Sequence, residues 1–580
     1  MNVIGIHDGH NATVALLQDN DVTYALSEER LSRVKNQGGF PHRALSRILD
    51  NAHLAPGAIH RIIFTTNNTH VGEWHDRQKL LKRYHETALA TQEAALIRPL
   101  LHRVRTLFGS RSRIVSPKNM YGRYEPLMAM GFHHDQIGTM DHHLAHAASG
   151  YYSAHQFDQP VLCLTNDGGG DGLCGTVSIG RAGRLERLAE ISVRNSFAAL
   201  YARATFFMGM MPLEHEYKLM GLAPYADQRK AEELADVIFS YFEWPEDAPL
   251  TWRLKPRFAT VNWVAAEFRH LFQFVRFDLI AAAMQIFVEK MTIMWIERCI
   301  RETKIPRLIL AGGLFMNVKM NKRILELPGV ESVFVMPSSG DESTPFGACY
   351  LGAVQSGESP QHLQPLQDLY LGPSYDRHDI DTAVRQVSGM STLRIEEPPS
   401  MASAIATLLT EDQIVAVWQG REEFGARALG NRSIIANPSN LKVIRELNAT
   451  IKSRDFWMPF AGTMTEEQAH HTLRNPKKAN APYMMMTFDL DGYASDCAAA
   501  IHPYDQTMRP QILPRAWNPA YHEIIQEFEK KSGKRAGVLN TSFNLHGYPI
   551  VSSPQDAVDV FLKSGLRYLA LGSYLLKKSS

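Results

Sequence analysis

His142 and His146 stand four residues apart in MDHHLAHAASGYYS. On a helix that spacing puts both imidazoles on one face, where they can hold one metal ion. His143 lies off that face and is the poorer ligand. A lone HxxxH is more often coincidence than a ligand pair. Here, however, Asp167 and Asp341 each occupy a glycine-containing turn after a strand-like apolar run. Two imidazoles with one or two carboxylates make a borderline-hard set suited to iron, manganese or zinc. A second reactive turn lies near the N-terminus, where Asp8, His10 and Asn11 crowd together. A histidine oriented by a carboxylate can take a hydroxyl proton near neutral pH, and the plainer reading is a satisfied turn residue.

Glycines and cations mark candidate anion sites. NDGGGDG (residues 166–172) packs four glycines and two aspartates into seven residues. Its backbone N–H groups, those of Asn166, Gly168, Gly169 and Gly170 among them, can turn toward a phosphate, or the segment is a simple β-turn. Gly312 and Gly313 in GGLFMN would let a purine or ribose lie against the backbone. Asn317 and Asn321 follow, as hydrogen-bond donors or as helix caps. Lys218, in HEYKLMGLAPYA, faces either a phosphate or water. Late in the chain, EFGARALGNRS carries Arg427 and Arg432, and IKSRDF carries Lys452 and Arg454. TMRPQ adds Arg509, and NTSFN adds Asn540, Ser542 and Asn544. Small polar donors among cations suit a highly anionic ligand, against the plain alternative of solvated surface arginines.

The elements that must position these groups follow from pattern. At 580 residues the chain exceeds one ordinary core, so two to four structural units are expected. Strand, polar turn and strand open the chain at NVIGIHDGHNATVALLQD, and the same device returns at residues 159–183. Further strands are expected at RIIFTT, RLILAGG and SVFVMP, which suggests a duplicated α/β core with nucleotide phosphates at its glycine turns. Residues 357–367 are polar, contain two prolines and read as a boundary. Beyond it a second α/β unit is expected, with a helix at 401–413 and strands at 414–420, 481–490 and 536–542. Residues 277–300 are the longest apolar helical stretch. Asp278, Gln285, Glu289 and Lys290 are expected to keep it from being a membrane span, so it reads as a buried or amphipathic helix.

Composition excludes several classes. Lys+Arg 61 against Asp+Glu 60 leaves a formal charge of +1, so no global basic field favours a nucleic acid. The local basic stretch at residues 103–113 reads as a solvated loop. Five cysteines without CxxC spacing fit neither a disulfide framework nor a zinc knuckle. The chain enters VIGI directly, so a cytoplasmic protein without a signal peptide or membrane partner is expected.

Taken in order, GHNA, HHLAH, NDGGGDG, GGLFMN, SGDES, EFGARALGNRS and NTSFN resemble the NodU/CmcH/TobZ-type O-carbamoyltransferases across nearly the whole chain. SEER at 27–30, with Arg33 and Lys35, matches that family's early segment too. The resemblance implies an α/β chain. Residues 1–356 would form a duplicated actin/sugar-kinase-like domain (ASKHA, TsaD-like), and residues 368–580 a YrdC-like domain. It implies that carbamoyl phosphate and ATP, with Mg(II), give carbamoyl adenylate in the second domain, bound by Lys452, Arg509 and Ser542. It implies a divalent ion, Fe(II) in the family, on His142, His146, Asp167 and Asp341 of the first domain. There the carbamoyl group would pass to a hydroxyl of a natural-product or glycoside acceptor, with His10 as base and Asp8 orienting it. Oligomeric state is open, a homodimer included. Two departures stand out: Met458 where the family has an arginine before PFAP, and Arg567 in place of a usual aspartate. Arg454 or another cation would compensate for Met458, or phosphate affinity is weaker. The alternatives are a sugar or small-molecule kinase, a tRNA threonylcarbamoyl transferase, and a non-enzymatic Hsp70-type module.

Overall fold

The computed structural model describes residues 1–67, 81, 82, 84, 85 and 117–579, and these form a mixed α/β protein. The basic stretch at 103–113 lies outside the described residues. The chain divides into two compact units. The first is Met1–Asp21, Gln37–His42 and Leu54–Pro365, and the second is Val22–Asn36, Arg43–His53 and Leu366–Ser580. A reading along the chain does not anticipate that two early pieces belong with the C-terminal part.

In the first unit, β1 (Asn2–His7) and β2 (Thr13–Gln18) form an antiparallel hairpin. β3 (Asp21–Ser27) belongs to the second unit from Val22 onward. β4 (Arg61–Phe64) and β5 (Ile137–Thr139) continue in parallel on the other side of β1. The second sheet repeats the device. β6 (Val161–Gly170), β7 (Leu173–Arg181) and β8 (Arg184–Ser192) run antiparallel. After the small pair β9 (Phe242–Glu243) and β10 (Arg253–Leu254), β11 (Arg307–Ala311) and β12 (Ser332–Val335) run parallel to β6. The strand orders β2-β1-β4-β5 and β7-β6-β11-β12 are therefore the same arrangement used twice.

Local chemistry explains the turns that carry the site. Asp171 and Gly172 close the β6–β7 hairpin with φ of 49° and 89°, the positive pair that a two-residue turn matched to strand twist requires. Just before it, the β6–β7 register shifts between Asn166 and Gly170, so Asp167 leaves the ladder. Asp141 caps the helix His142–Ala154 by accepting from Leu144 N at 2.8 Å. Pro345 sits in the first turn of the helix Thr344–Gln355, where its missing N–H costs nothing.

The helix Phe277–Thr303 is 27 residues long, and its polar residues do not stop it from passing for a membrane span by length and composition alone. It is mostly buried, as expected, and packs Phe287, Met291 and Trp295 inside the first unit. Its interior polar groups are satisfied locally. Gln285 bonds Asn317 and Tyr201, and Glu289 accepts from Arg323 at 2.8 Å.

The second unit is built on an eight-stranded sheet. In chain order its strands are β13 (Leu393–Glu396), β14 (Val415–Trp418), β15 (Arg432–Ala436) and β16 (Ala461–Thr465). β17 (Pro510–Leu513), β18 (Val538–Ser542), β19 (Tyr568–Leu571) and β20 (Tyr574–Lys578) complete it. The order is β13-β20-β19-β14-β15-β18-β16-β17. Strand alternation feeds two cores. Val415 and Val417 pack with Ile405, Leu409, Ile524 and Phe528 of the helices Met401–Thr410 and Pro519–Ser532. Ala416 and Trp418 pack on the other face with Ala383, Val558 and Phe561 of the helices Arg377–Arg385 and Pro554–Lys563. The strand expected at 481–490 is not formed, and only isolated bridges at Phe488 and Leu490 occur there. Pro482 and the left-handed Met484 (φ 58°) prevent a continuous ladder, while Met484, Met485 and Met486 are buried as irregular chain.

Candidate metal and anion sites

Each unit gathers its own set of chemistry-bearing residues. In the first, Asp341 Oδ1 lies 3.5 Å from His142 Nε2 and 3.4 Å from His146 Nε2. His142 Nε2 is also 3.6 Å from Asp167 Oδ2. These separations are long for hydrogen bonds. They suit donors around one ion, since two bonds of about 2.1 Å at a tetrahedral angle place ligand atoms roughly 3.4 Å apart. The Nε2 atoms of both histidines are buried without a hydrogen-bond partner, a state that needs an explanation. His142, His146, Asp167 and Asp341 are thus a group that could hold a metal ion, and the donor set fits one.

The surroundings hold these ligands in place. His142 N–H donates to Asp171 Oδ2 at 3.0 Å, and Thr66 Oγ1 donates to Asp171 Oδ1 at 2.9 Å. Only glycine fits at 170, because a Cβ there would lie 2.1 Å from the His142 ring. Burial opposes charge on His142, but Asp341 and Asp167 outweigh it and raise its pKa to about 9. Burial and Asp341 push Asp167 upward, yet His142 and His146 prevail and hold it at about 2. Burial opposes charge on Asp341 too, but His142, His10, His146 and His7 keep it well below the usual carboxylate range. Burial, with His142 and His146 adding to it, pushes His143 down to about 3. That histidine faces Thr165 Oγ1 at 2.8 Å, away from the ligand face, as its spacing suggests.

His10 reaches this cluster, with Nδ1 3.5 Å from Asp341 Oδ2. Asp8 does not orient it. Both Asp8 oxygens accept from the fully buried Arg123, from Nε at 2.6 Å and from Nη2 at 2.7 Å. The carboxylate beside His10 is Asp341, and a partner 115 residues away in sequence claims Asp8. Burial opposes charge on His10, and Asp341 overcomes it to raise its pKa.

Of the expected nucleotide residues, those at 166–170 and 312–313 lie at the ends of β6 and β11, and Asn317, Asn321 and Lys218 belong to helices. Asn166, Gly168, Gly169 and Gly170 form the irregular end of β6. Asn166 is buried with neither amide oxygen nor nitrogen bonded. Gly313 N–H donates to Asp167 Oδ1 at 3.1 Å, and Gly312 N–H donates to Ser339 O at 2.9 Å. Asn317 takes the plainer of its two expected roles. Its Oδ1 caps Met320 N at 3.1 Å while its amide pairs with Gln285. Asn321, on the helix Val318–Glu326, donates to Phe315 O at 2.7 Å. Lys218 is half-buried on the helix Glu216–Leu222.

In the second unit the cations split into two kinds. Arg432 is fully buried over Trp418 at 4.1 Å and donates to the carbonyls of Gln419, Gly420, Asn431 and Ser552. It is a structural arginine, and its expected phosphate role is corrected. Asn540 donates its amide protons to Ala428 O and Thr463 Oγ1 at 3.0 and 2.9 Å, while its Oδ1 is buried without a partner. The others assemble. Lys452 Nζ reaches Ser542 O, Ser542 Oγ at 3.1 Å and Asn544 Oδ1 at 2.7 Å. Burial, then Arg454 and Lys35, hold the Lys452 ammonium well below ordinary lysine. Burial, then Arg427 and Arg454, do the same to Arg509, whose Nε has no partner. Arg454 donates to Thr541 Oγ1 at 2.8 Å and to Pro459 O at 3.2 Å, so it serves the loop that carries Met458. Arg567 is exposed before β19. Sequence reading assigned no role to His7, Arg123, Asp171 or Lys35, although Asp171 lies inside NDGGGDG and Lys35 just beyond SEER.

The carbamoyltransferase N-terminus model matches residues 2–350 and the carbamoyltransferase C-terminus model matches residues 406–578. Nodulation protein NolNO of Sinorhizobium fredii is 30% identical over 98% of this chain and 79% of its own length. An uncharacterized protein of Methanocaldococcus jannaschii is 28% identical over 99% of both chains. Full-length HypF in its phosphate- and nucleotide-bound form is similar at 13% identity, with a TM-score of 0.34 over 62% of this chain and 56% of that one. The chain belongs to the carbamoyltransferase family and is an enzyme of that family.

Proposed function

We propose that the chain is an ATP-dependent O-carbamoyltransferase acting on a hydroxyl of a small-molecule acceptor, a natural product or glycoside. The observation that carries this reading is the crowding of Lys452 and Arg509 against like charges in a carbamoyltransferase chain. Buried cations that repel one another are stabilised by a polyanion, and ATP with carbamoyl phosphate is a highly anionic pair. The repeated strand order supports an ASKHA-type first domain over residues 1–356, and residues 368–580 would form a YrdC-like domain.

In the second unit, water would split carbamoyl phosphate into carbamate and phosphate, and a carbamate oxygen would attack the α-phosphorus of Mg(II)-bound ATP. Carbamoyl adenylate forms and pyrophosphate leaves. Lys452, braced by Ser542 and Asn544, would act with Arg427, Arg454 and Arg509 to neutralise the phosphate oxygens as charge moves. In the first unit, Asn166, the glycines at 168–170 and 312–313, and Lys218 would receive the adenylate. A divalent ion on His142, His146, Asp167 and Asp341, Fe(II) by resemblance, would supply Lewis acidity toward the carbamoyl carbonyl. His10, beside Asp341, would take the acceptor proton as its oxygen bonds to the carbamoyl carbon and AMP departs. A cytoplasmic setting, without nucleic-acid or membrane partners, belongs to the same proposal.

The test is the nucleotide product. AMP and pyrophosphate should form from ATP only when carbamoyl phosphate is present, and ADP as the sole product would favour a kinase instead.

A further inference from the structure

The end of β1 carries a histidine that the proposed reaction does not use. His7 is 2% exposed, and its Nε2 has no hydrogen-bond partner. Its Nδ1 lies 3.2 Å from Thr65 Oγ1, which also accepts from Thr344 Oγ1 at 2.8 Å. Nε2 faces Asp341 Oδ2 at 3.5 Å, too long for a good hydrogen bond. A buried imidazole nitrogen left without a partner is the state that a bound cation satisfies.

The remaining parts of a cation site are present. His10 Nδ1 lies 3.5 Å from the same Asp341 oxygen, and the three ligand atoms lie within 4.8 Å of one another. The side of His7 Nε2 is kept clear, since a Cβ at Gly9 would sit 2.6 Å from that nitrogen. Thr65 fixes the far side of the imidazole, as outer partners of metal-bound histidines do. We propose that His7, His10 and Asp341 form a second divalent-cation site. Asp341 bridges it to the first, with Oδ1 toward His142 and His146 and Oδ2 toward His7 and His10. Two imidazoles and one carboxylate with open positions suit Fe(II), Mn(II) or Zn(II). If the proposed carbamoyl transfer also holds, His10 Nδ1 is then a ligand, and a cation rather than a free imidazole activates the acceptor hydroxyl.

The experiment uses the full chain, stripped with chelator and reloaded with Mn(II) alone, without ATP or carbamoyl phosphate. It therefore succeeds or fails independently of the proposed reaction. Two ions per chain are expected by elemental analysis, with two anomalous-scattering peaks flanking Asp341 and the electron paramagnetic resonance signal of a spin-coupled pair. His7→Asn, which keeps a hydrogen-bonding group for Thr65, should reduce the count to one ion with an isolated six-line spectrum. The double variant His142→Ala/His146→Ala should keep one ion on His7, His10 and Asp341. A single peak in the native chain at saturating Mn(II) would overturn the proposal whether or not His7→Asn folds. So would an unchanged ion count in a folded His7→Asn variant.

Discussion

In the first unit Asp341 meets four imidazoles, those of His7, His10, His142 and His146, with Asp167 beside one of them. In the second, Lys452 meets the neutral oxygens of Ser542 and Asn544, and the neighbours that perturb Lys452 and Arg509 are other cations. One cluster mixes signs, and the other concentrates one sign. A mixed cluster of nitrogen and oxygen donors can take up a small cation and stay nearly neutral. A cationic cluster without carboxylates among its perturbers is completed by an anion. Neither preference is visible in the overall charge of +1, because the two sites are local and the surface balances the sum.

The comparison breaks first if the structural arginines are mistaken for functional ones. Arg123 neutralises buried Asp8, and Arg432 satisfies a set of buried carbonyls. Arg123→Met leaves a buried carboxylate alone and should cost about 3–5 kcal/mol. Arg432→Met should also lower the urea midpoint markedly. Arg123→Met protein as stable as the native chain in chemical denaturation would contradict the buried pairing.

The two clusters should also separate by reaction. Lys452→Ala should slow carbamoyl-adenylate formation roughly 10²–10³-fold, the usual effect of losing one transition-state donor. The variant should still carbamoylate an acceptor when the adenylate is supplied. His142→Ala should lose the ion held with His146 and Asp167, and acceptor transfer with it, while still forming the adenylate. Both activities lost together in both variants, with folding intact, would mean one shared site in place of two.

How far the sequence disclosed this contrast depends on the range of the contact. His142 and His146 were legible because helix periodicity is local, and Asp167 because a glycine turn marks its strand end. Asp8 was misjudged because its partner is Arg123, and no spacing rule links residues so far apart. His7 was hidden because it reads as the last residue of an apolar strand. The segment 22–36 looked like part of the N-terminal domain. Its place in the second unit rests on Ala25 N–H bonding Leu371 O at 3.0 Å and Arg30 pairing with Glu422 at 2.8 Å. That placement is what brings Lys35 near Lys452. Arg432 and Arg509 looked equivalent as members of polar, arginine-bearing motifs. Only burial and partners tell a satisfied guanidinium from one held against its own kind.

That last pair supports the smallest effect and the sharpest sign. Arg509 is half-buried, its Nε has no partner, and burial with Arg427 and Arg454 disfavours its charge. Removing it relieves repulsion in the ligand-free protein, so Arg509→Met should leave stability unchanged or raise it by up to about 1 kcal/mol, a gain typical of substitutions at functional sites. The same substitution should remove the benefit of an anion. Native protein should be stabilised by a tight anion such as ATP by RT ln(1 + [L]/Kd), about 2.7 kcal/mol at a hundredfold excess over Kd. Arg509→Met should show much less of that shift in a thermal melt at constant ionic strength. Arg432→Met gives the opposite pattern, losing baseline stability while keeping the ATP-dependent increment. If Arg509→Met were destabilising and its ATP response intact, its guanidinium would be serving the fold as Arg432 does, and the division of the second unit's cations would have to be redrawn.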